Sequence, residues 1–142
     1  IKRTSWAALT KNPGSAKAYR SAFRICKIND KVFLDLKMML GDKVYSINEG
    51  DPIMFLFESG EVVKIYSNEF AITSIGAGAE GYGGSSELGT NTTYDLSPEV
   101  IEKIQNGKIK KIRIYISDSY IEQEDKRNAD KHLKRCLTLI NN

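Results

Sequence analysis

The stretch Lys31-Val32-Phe33-Leu34-Asp35-Leu36-Lys37-Met38-Met39-Leu40 decides the fold. Val32, Leu34, Leu36, Met38 and Leu40 recur at every second position with Asp35 and Lys37 between them, the period of a strand that buries one face. A helix would space its apolar residues by three and four. Outward from this strand, turn dipeptides separate short runs: Asn29-Asp30 parts it from Tyr19 to Ile28, and Gly41-Asp42 from Lys43 to Ile47. Glu49-Gly50-Asp51-Pro52 marks another turn, and Ile53 to Glu58 pairs with Glu61 to Tyr66 across Ser59-Gly60, where glycine supplies a positive φ. Phe70 to Ile75 and a shorter Thr92 to Leu96 follow. No helical period interrupts residues 19 to 75, which argues against parallel βαβ units.

Two helices are expected. Ser97-Pro98-Glu99 supplies a cap, a first-turn proline and an acid at the positive dipole end, with Val100, Ile101 and Ile104 as the apolar stripe and Gly107 as the stop. Ala129, Leu133, Cys136, Leu137 and Ile140 repeat at three and four, so a second helix spans about Lys126 to Ile140, with Lys126, Lys134 and Arg135 facing water. Between them, Ile112, Ile114 and Ile116 alternate with Arg113 and Tyr115, and Asp118-Ser119 turns into Tyr120 to Glu124. The chain reads as a loosely organised arm over 1–17, tacked down by Trp6, and one α+β domain over 18–142. That domain is an antiparallel β meander, a curved sheet or a two-layer sandwich, with a short internal helix and a C-terminal helix packed on it.

With 142 residues, 41% hydrophobic and 27% charged, the chain has an ordinary globular composition with room for one domain. The net +3 hides an uneven distribution: residues 1–40 carry +7, 41–99 carry −8 and 100–142 carry +4. No run of about 18 apolar residues marks a membrane span. Two cysteines and one histidine cannot form a zinc-finger site, and no metal or cofactor is expected.

Gly76-Ala77-Gly78-Ala79-Glu80-Gly81 matches GxGxxG after a strand, but Tyr82-Gly83-Gly84-Ser85-Ser86 cannot extend the helix that would hold a pyrophosphate. Six of the eleven glycines fall within 76–89 without a basic residue. The plain cause is a wide turn or bulged hairpin. The functional cause is a lip over a cleft, with Gly78, Gly81, Tyr82, Ser85 and Ser86 as candidate ligand-binding residues. His132 and Cys136 are four apart, but Cys136 lies near a helix C-terminus among apolar neighbours, the setting of a packed thiol. A Cys26–Cys136 disulfide would need an oxidising compartment, and the alternation of Cys26 with Arg24 points it outward. Glu58, Glu61, Glu69, Glu80 and Glu87 allow a carboxylate pair without singling one out. Lys108, Lys110, Lys111 and Arg113 suit either a core strand with a wet face or a surface for phosphates.

Phe33-Leu34-Asp35-Leu36-Lys37-Met38-Met39, Ile75-Gly76-Ala77-Gly78-Ala79 and Lys108-Ile109-Lys110-Lys111-Ile112-Arg113-Ile114-Tyr115 together resemble small single-domain exported proteins of gut Bacteroidales, over residues 19–140. The resemblance carries no catalytic motif. It implies export to the periplasm or cell surface, in keeping with a mature form that starts at Ile1. Where those proteins tend to have Asp-Gly before Tyr, this chain has Asp118-Ser119.

The leading expectation is a non-enzymatic exported domain that binds an unknown protein or a small polar ligand through the glycine-rich 76–90 region and its flanking strands. A carboxylate hydrolase around the same loop is one alternative. A binder of an anionic polymer is another, requiring the bases of 1–40 and 108–113 to share a face, although the mild charge argues against nucleic acid. Oligomeric state stays open.

Overall fold

The computed structural model describes residues 1–11, 19–40, 44–75, 88–125 and 128–141. In chain order they form β1 (Lys2–Arg3), β2 (Ala7–Lys11), β3 (Tyr19–Ile28), β4 (Lys31–Leu40), β5 (Ser46–Ile47), β6 (Pro52–Phe57), β7 (Val62–Tyr66), β8 (Ala71–Ile72), β9 (Ser74–Ile75), β10 (Leu88–Leu96), α1 (Pro98–Asn106), β11 (Ile109–Tyr115), β12 (Tyr120–Glu124) and α2 (Ala129–Ile140). Every pairing among them is antiparallel. The first sheet runs β1-β3-β4-β10-β9 with β2 also on β3, the second runs β12-β11-β6-β7, and β5 pairs with β8. The fold is α+β.

Register explains why the alternating stretch was decisive. Phe23 lies opposite Leu36 and Ile25 opposite Leu34, and Leu36 and Leu34 continue to Thr92 and Tyr94 on β10. This face joins Ile53, Phe55, Ile65, Ile112 and Ile114 of the second sheet, Ile104 of α1, and Leu133, Cys136, Leu137 and Ile140 of α2 in one core. Each such side chain contributes about 1.5–3 kcal/mol by leaving water. The α2 stripe is the expected one.

The other face of β4 departs from expectation. Alternation assigned Asp35 and Lys37 to water, yet β4 is buried without interruption from Leu34 to Met39, with Lys37 only 1% exposed. The arm accounts for this. Its described residues, 1–11, supply β1 opposite Cys26 and Lys27 and β2 opposite Arg20 to Phe23. Between β1 and β2, the Trp6 ring lies 3.9 Å from Lys37 Nζ and 4.6 Å from Arg24 Cζ, so an aromatic face covers two cations that alternation alone would leave wet.

Two boundaries also shift. β10 begins at Leu88, and α2 at Ala129. Asn128 caps α2 without a side-chain bond; Asp125 accepts from Ala129 N at 2.7 Å and Asp130 N at 3.0 Å instead. Gly60 has the positive φ of +91° that its hairpin needs, whereas Gly107 has φ −103° and is required for space: a Cβ there would lie 2.5 Å from Phe57 Cδ1.

Candidate functional site: a groove at the end of the first sheet

Gly78, Gly81, Tyr82, Ser85 and Ser86 lie outside the described residues, as do Glu80, Glu87 and Lys126. The strands on either side of the glycine-rich stretch pair directly, Ile75 with Leu88 and Ser74 with Gly89.

The outer face of the first sheet begins with a polar cluster under Trp6. Arg24 Nε donates to Asp35 Oδ2 at 2.9 Å, and Cys26 Sγ lies 3.6 Å from the same oxygen. Burial, reinforced by the Asp35 charge, pushes the Cys26 thiol pKa up, so the sulfur is a protonated donor and a poor nucleophile. Cys26 is thus buried, which corrects the outward placement read from its alternation with Arg24. Both cysteines are free thiols, and they occupy different environments: Cys136 belongs to the shared core, Cys26 to this outer cluster. The structure has no Cys26–Cys136 disulfide.

Further along the same face, a groove of about 790 Å³ opens, lined by Ile28, Asn29, Asp30, Lys31, Phe33, Asn68, Glu69, Thr93 and Asp95. Local structure places each part. Asn29, at φ +54°, turns β3 into β4 and brings Asp30 and Lys31 to the rim. Phe33 pairs with Asp95, and both share the face of Arg24 and Asp35. A bridge from Ser67 to Tyr94 draws the following residue alongside β10, where Asn68 N donates to Thr93 O at 2.9 Å. Asn68 Nδ2 then donates to Asp95 Oδ1 at 3.0 Å. Among the described residues, Asp30, Glu69 and Asp95 form no ion pair, so with Lys31 the rim carries net −2. The chain leaves the groove through Phe70, which is 58% exposed, followed by Ile72 at 60%.

The other large cleft is built differently. About 690 Å³ in volume, it lies between Glu58, Lys108, Asp125, Asp130 and Lys134 at the start of α2. Its central acids are committed to holding the fold: Asp125 caps α2, and Asp130 Oδ1 accepts from Ile109 N at 3.1 Å and Lys134 Nζ at 2.6 Å. Lys134, expected to face water, also donates to Gly107 O at 2.6 Å. Glu61 pairs with Lys103 at 2.9 Å. Among the described residues, no three His, Cys, Asp or Glu side chains gather as metal ligands. Burial, with Arg135 nearby, lowers the His132 pKa, and its Nδ1 has no hydrogen-bond partner. Among the described residues, no helix is long and apolar enough to cross a membrane.

Among the described residues, four bases of the basic segments divide between two faces. Arg24 and Lys37 lie on the outer side of the first sheet under Trp6, whereas Lys111 and Arg113 lie on the outer side of the second, where Arg113 is held by Glu122 at 2.7 Å. Sequence reasoning missed the groove residues Phe33, Asn68 and Asp95. The available signals were Phe33, apolar on the polar side of an alternating strand, and the alternation of Phe70 and Ile72 around Ala71. No family model, curated protein or solved structure matches the chain.

Proposed function

We propose that this protein is a non-catalytic binding domain that takes a basic segment of a partner protein into the groove around Phe33. The observation that carries this reading is the set of three carboxylates without ion pairs, Asp30, Glu69 and Asp95, around Phe33, with exposed Phe70 and Ile72 following Glu69 along the chain. A lysine or arginine of the partner supplies the missing countercharge and stacks on Phe33, and an apolar neighbour covers Phe70 and Ile72. Carboxylate hydrolysis in the cleft at the start of α2 finds less support, because its central acids already serve backbone groups and Lys134. An exported location belongs to the same proposal and rests on the Bacteroidales resemblance; cell fractionation checks it.

The test is binding of short peptides that place Arg or Lys beside Phe or Leu, measured by calorimetry. The expected result is binding that falls about tenfold or more on Asp95→Asn with Glu69→Gln, as for loss of charge-assisted bonds, and that weakens as salt rises. Equal affinity for acidic peptides, or binding that ignores both substitutions in a folded variant, overturns the reading.

A further inference from the structure

The outer face of the second sheet forms a grid set by register. Tyr120 lies beside Tyr115, and Pro52 beside Tyr66; continuing the β6–β11 register by one residue sets Tyr115 beside Pro52. The first row across the four strands is therefore Tyr120, Tyr115, Pro52, Tyr66. The second row is Glu122, Arg113, Met54, Lys64, and the third is Glu124, Lys111, Leu56, Val62. Tyr66, Tyr120 and Val62 are exposed, and Met54, Leu56 and Tyr115 are half-buried. Tyrosine, arginine and methionine are the residues that interface centres favour. The Arg113 guanidinium lies 4.1 Å from the Tyr120 ring centroid, and it donates twice to Glu122 Oε1, leaving Oε2 uncommitted among the described residues.

Charge is ordered across this face. The acids Glu122 and Glu124 occupy the β12 edge, Lys64 the β7 edge, and a mixed Arg, Lys and apolar strip separates them. A two-fold axis parallel to the strands and midway between β11 and β6 lays β12 of one copy over β7 of the other. Each row then meets itself reversed: Tyr120 over Tyr66, Tyr115 over Pro52, Arg113 over Met54 and Glu122 over Lys64. We infer that the outer face of the second sheet is an isologous interface between two copies of this chain, with Glu122 of each copy paired to Lys64 of the other. Strand spacing and rise give a face of about 19 Å by 17 Å, smaller than the ~800 Å² per partner of a tight complex. The dimer is accordingly weak and salt-sensitive.

The pairing makes the test selective. Lys64→Glu puts two acids opposite each other in both symmetry-related pairs, and Glu122→Lys puts two lysines there. Each variant alone should lose at least about tenfold in association by sedimentation velocity, while an equimolar mixture regains it as a heterodimer. Circular dichroism and thermal melting of each variant establish that it is folded. A native protein that stays monomeric up to about 1 mM at low salt overturns the inference. So does a mixture of folded variants that associates no better than either alone, the result expected if this face serves a polysaccharide or a different protein.

Discussion

Two buried tyrosines should respond in opposite ways to loss of one oxygen. Tyr45 donates its hydroxyl to Met38 O at 2.8 Å and lies 2.8 Å from Thr90 Oγ1, and burial pushes its pKa up to about 12. Tyr94 is fully buried on the same strand as Thr90, and its hydroxyl has no hydrogen-bond partner. Tyr45→Phe removes both bonds and leaves Met38 O and Thr90 Oγ1 without this partner, a cost of about 1–3 kcal/mol. Tyr94→Phe removes a desolvated hydroxyl that earns nothing in return, so stability stays level or rises by up to about 1 kcal/mol. Urea denaturation of both variants measures the difference as a shift in midpoint at constant slope. At this chain length each kcal/mol corresponds to about 3–5 °C in Tm. A Tyr94→Phe variant that loses as much as Tyr45→Phe, or a neutral Tyr45→Phe, refutes the hydrogen-bond assignment in this core.

Gly107→Ala should cost about 1–3 kcal/mol by pressing Cβ into the Phe57 ring, and Phe57→Leu in the same chain should recover part of that loss in a double-mutant cycle. Trp6→Ala should uncover the cluster beneath the arm, raising the alkylation rate of native Cys26 by about tenfold or more as that site opens, while Cys136 in the core stays protected; mass spectrometry of the modified peptides reads both. His132 is held neutral because burial lowers its pKa from 6.5. The unfolded chain therefore takes up this proton first as pH falls through 6.5, and folded stability drops there. His132→Gln should flatten that part of the stability profile measured between pH 7 and 5.

The strand and helix patterns were legible wherever one periodicity met one solvent boundary. Leu34 and Leu36 of β4 and the Leu133, Cys136, Leu137 and Ile140 stripe of α2 bury the faces their spacing assigns. Asp35, Lys37 and Cys26 were misplaced because alternation reports which residues share a face and is silent on what covers the other one. Here the cover comes from Trp6, at the far side of a strand pairing between distant segments. Gly107 was read correctly as a helix end, but its need for glycine comes from Phe57, fifty residues away in sequence. Asp125 replaces a conventional cap for a similar reason: it lies outside the helix and reaches back to it. The groove was hidden because Phe33, Asn68 and Asp95 converge only through the β4–β10 register and the Ser67–Tyr94 bridge. Their residue types form no local motif.

The central claim is that the Phe33 groove is a site for a cationic partner segment. Its most direct measurement is a ¹⁵N amide chemical-shift titration with a short peptide carrying Arg beside Phe, run against the same peptide with Arg replaced by Glu. The account predicts that the basic peptide shifts Asp30, Lys31, Phe33, Asn68, Glu69 and Asp95, with Phe70 and Ile72 following, and that the acidic peptide leaves them in place. Shifts concentrated at the start of α2 or across the outer face of the second sheet, or the same response to both peptides, would contradict it.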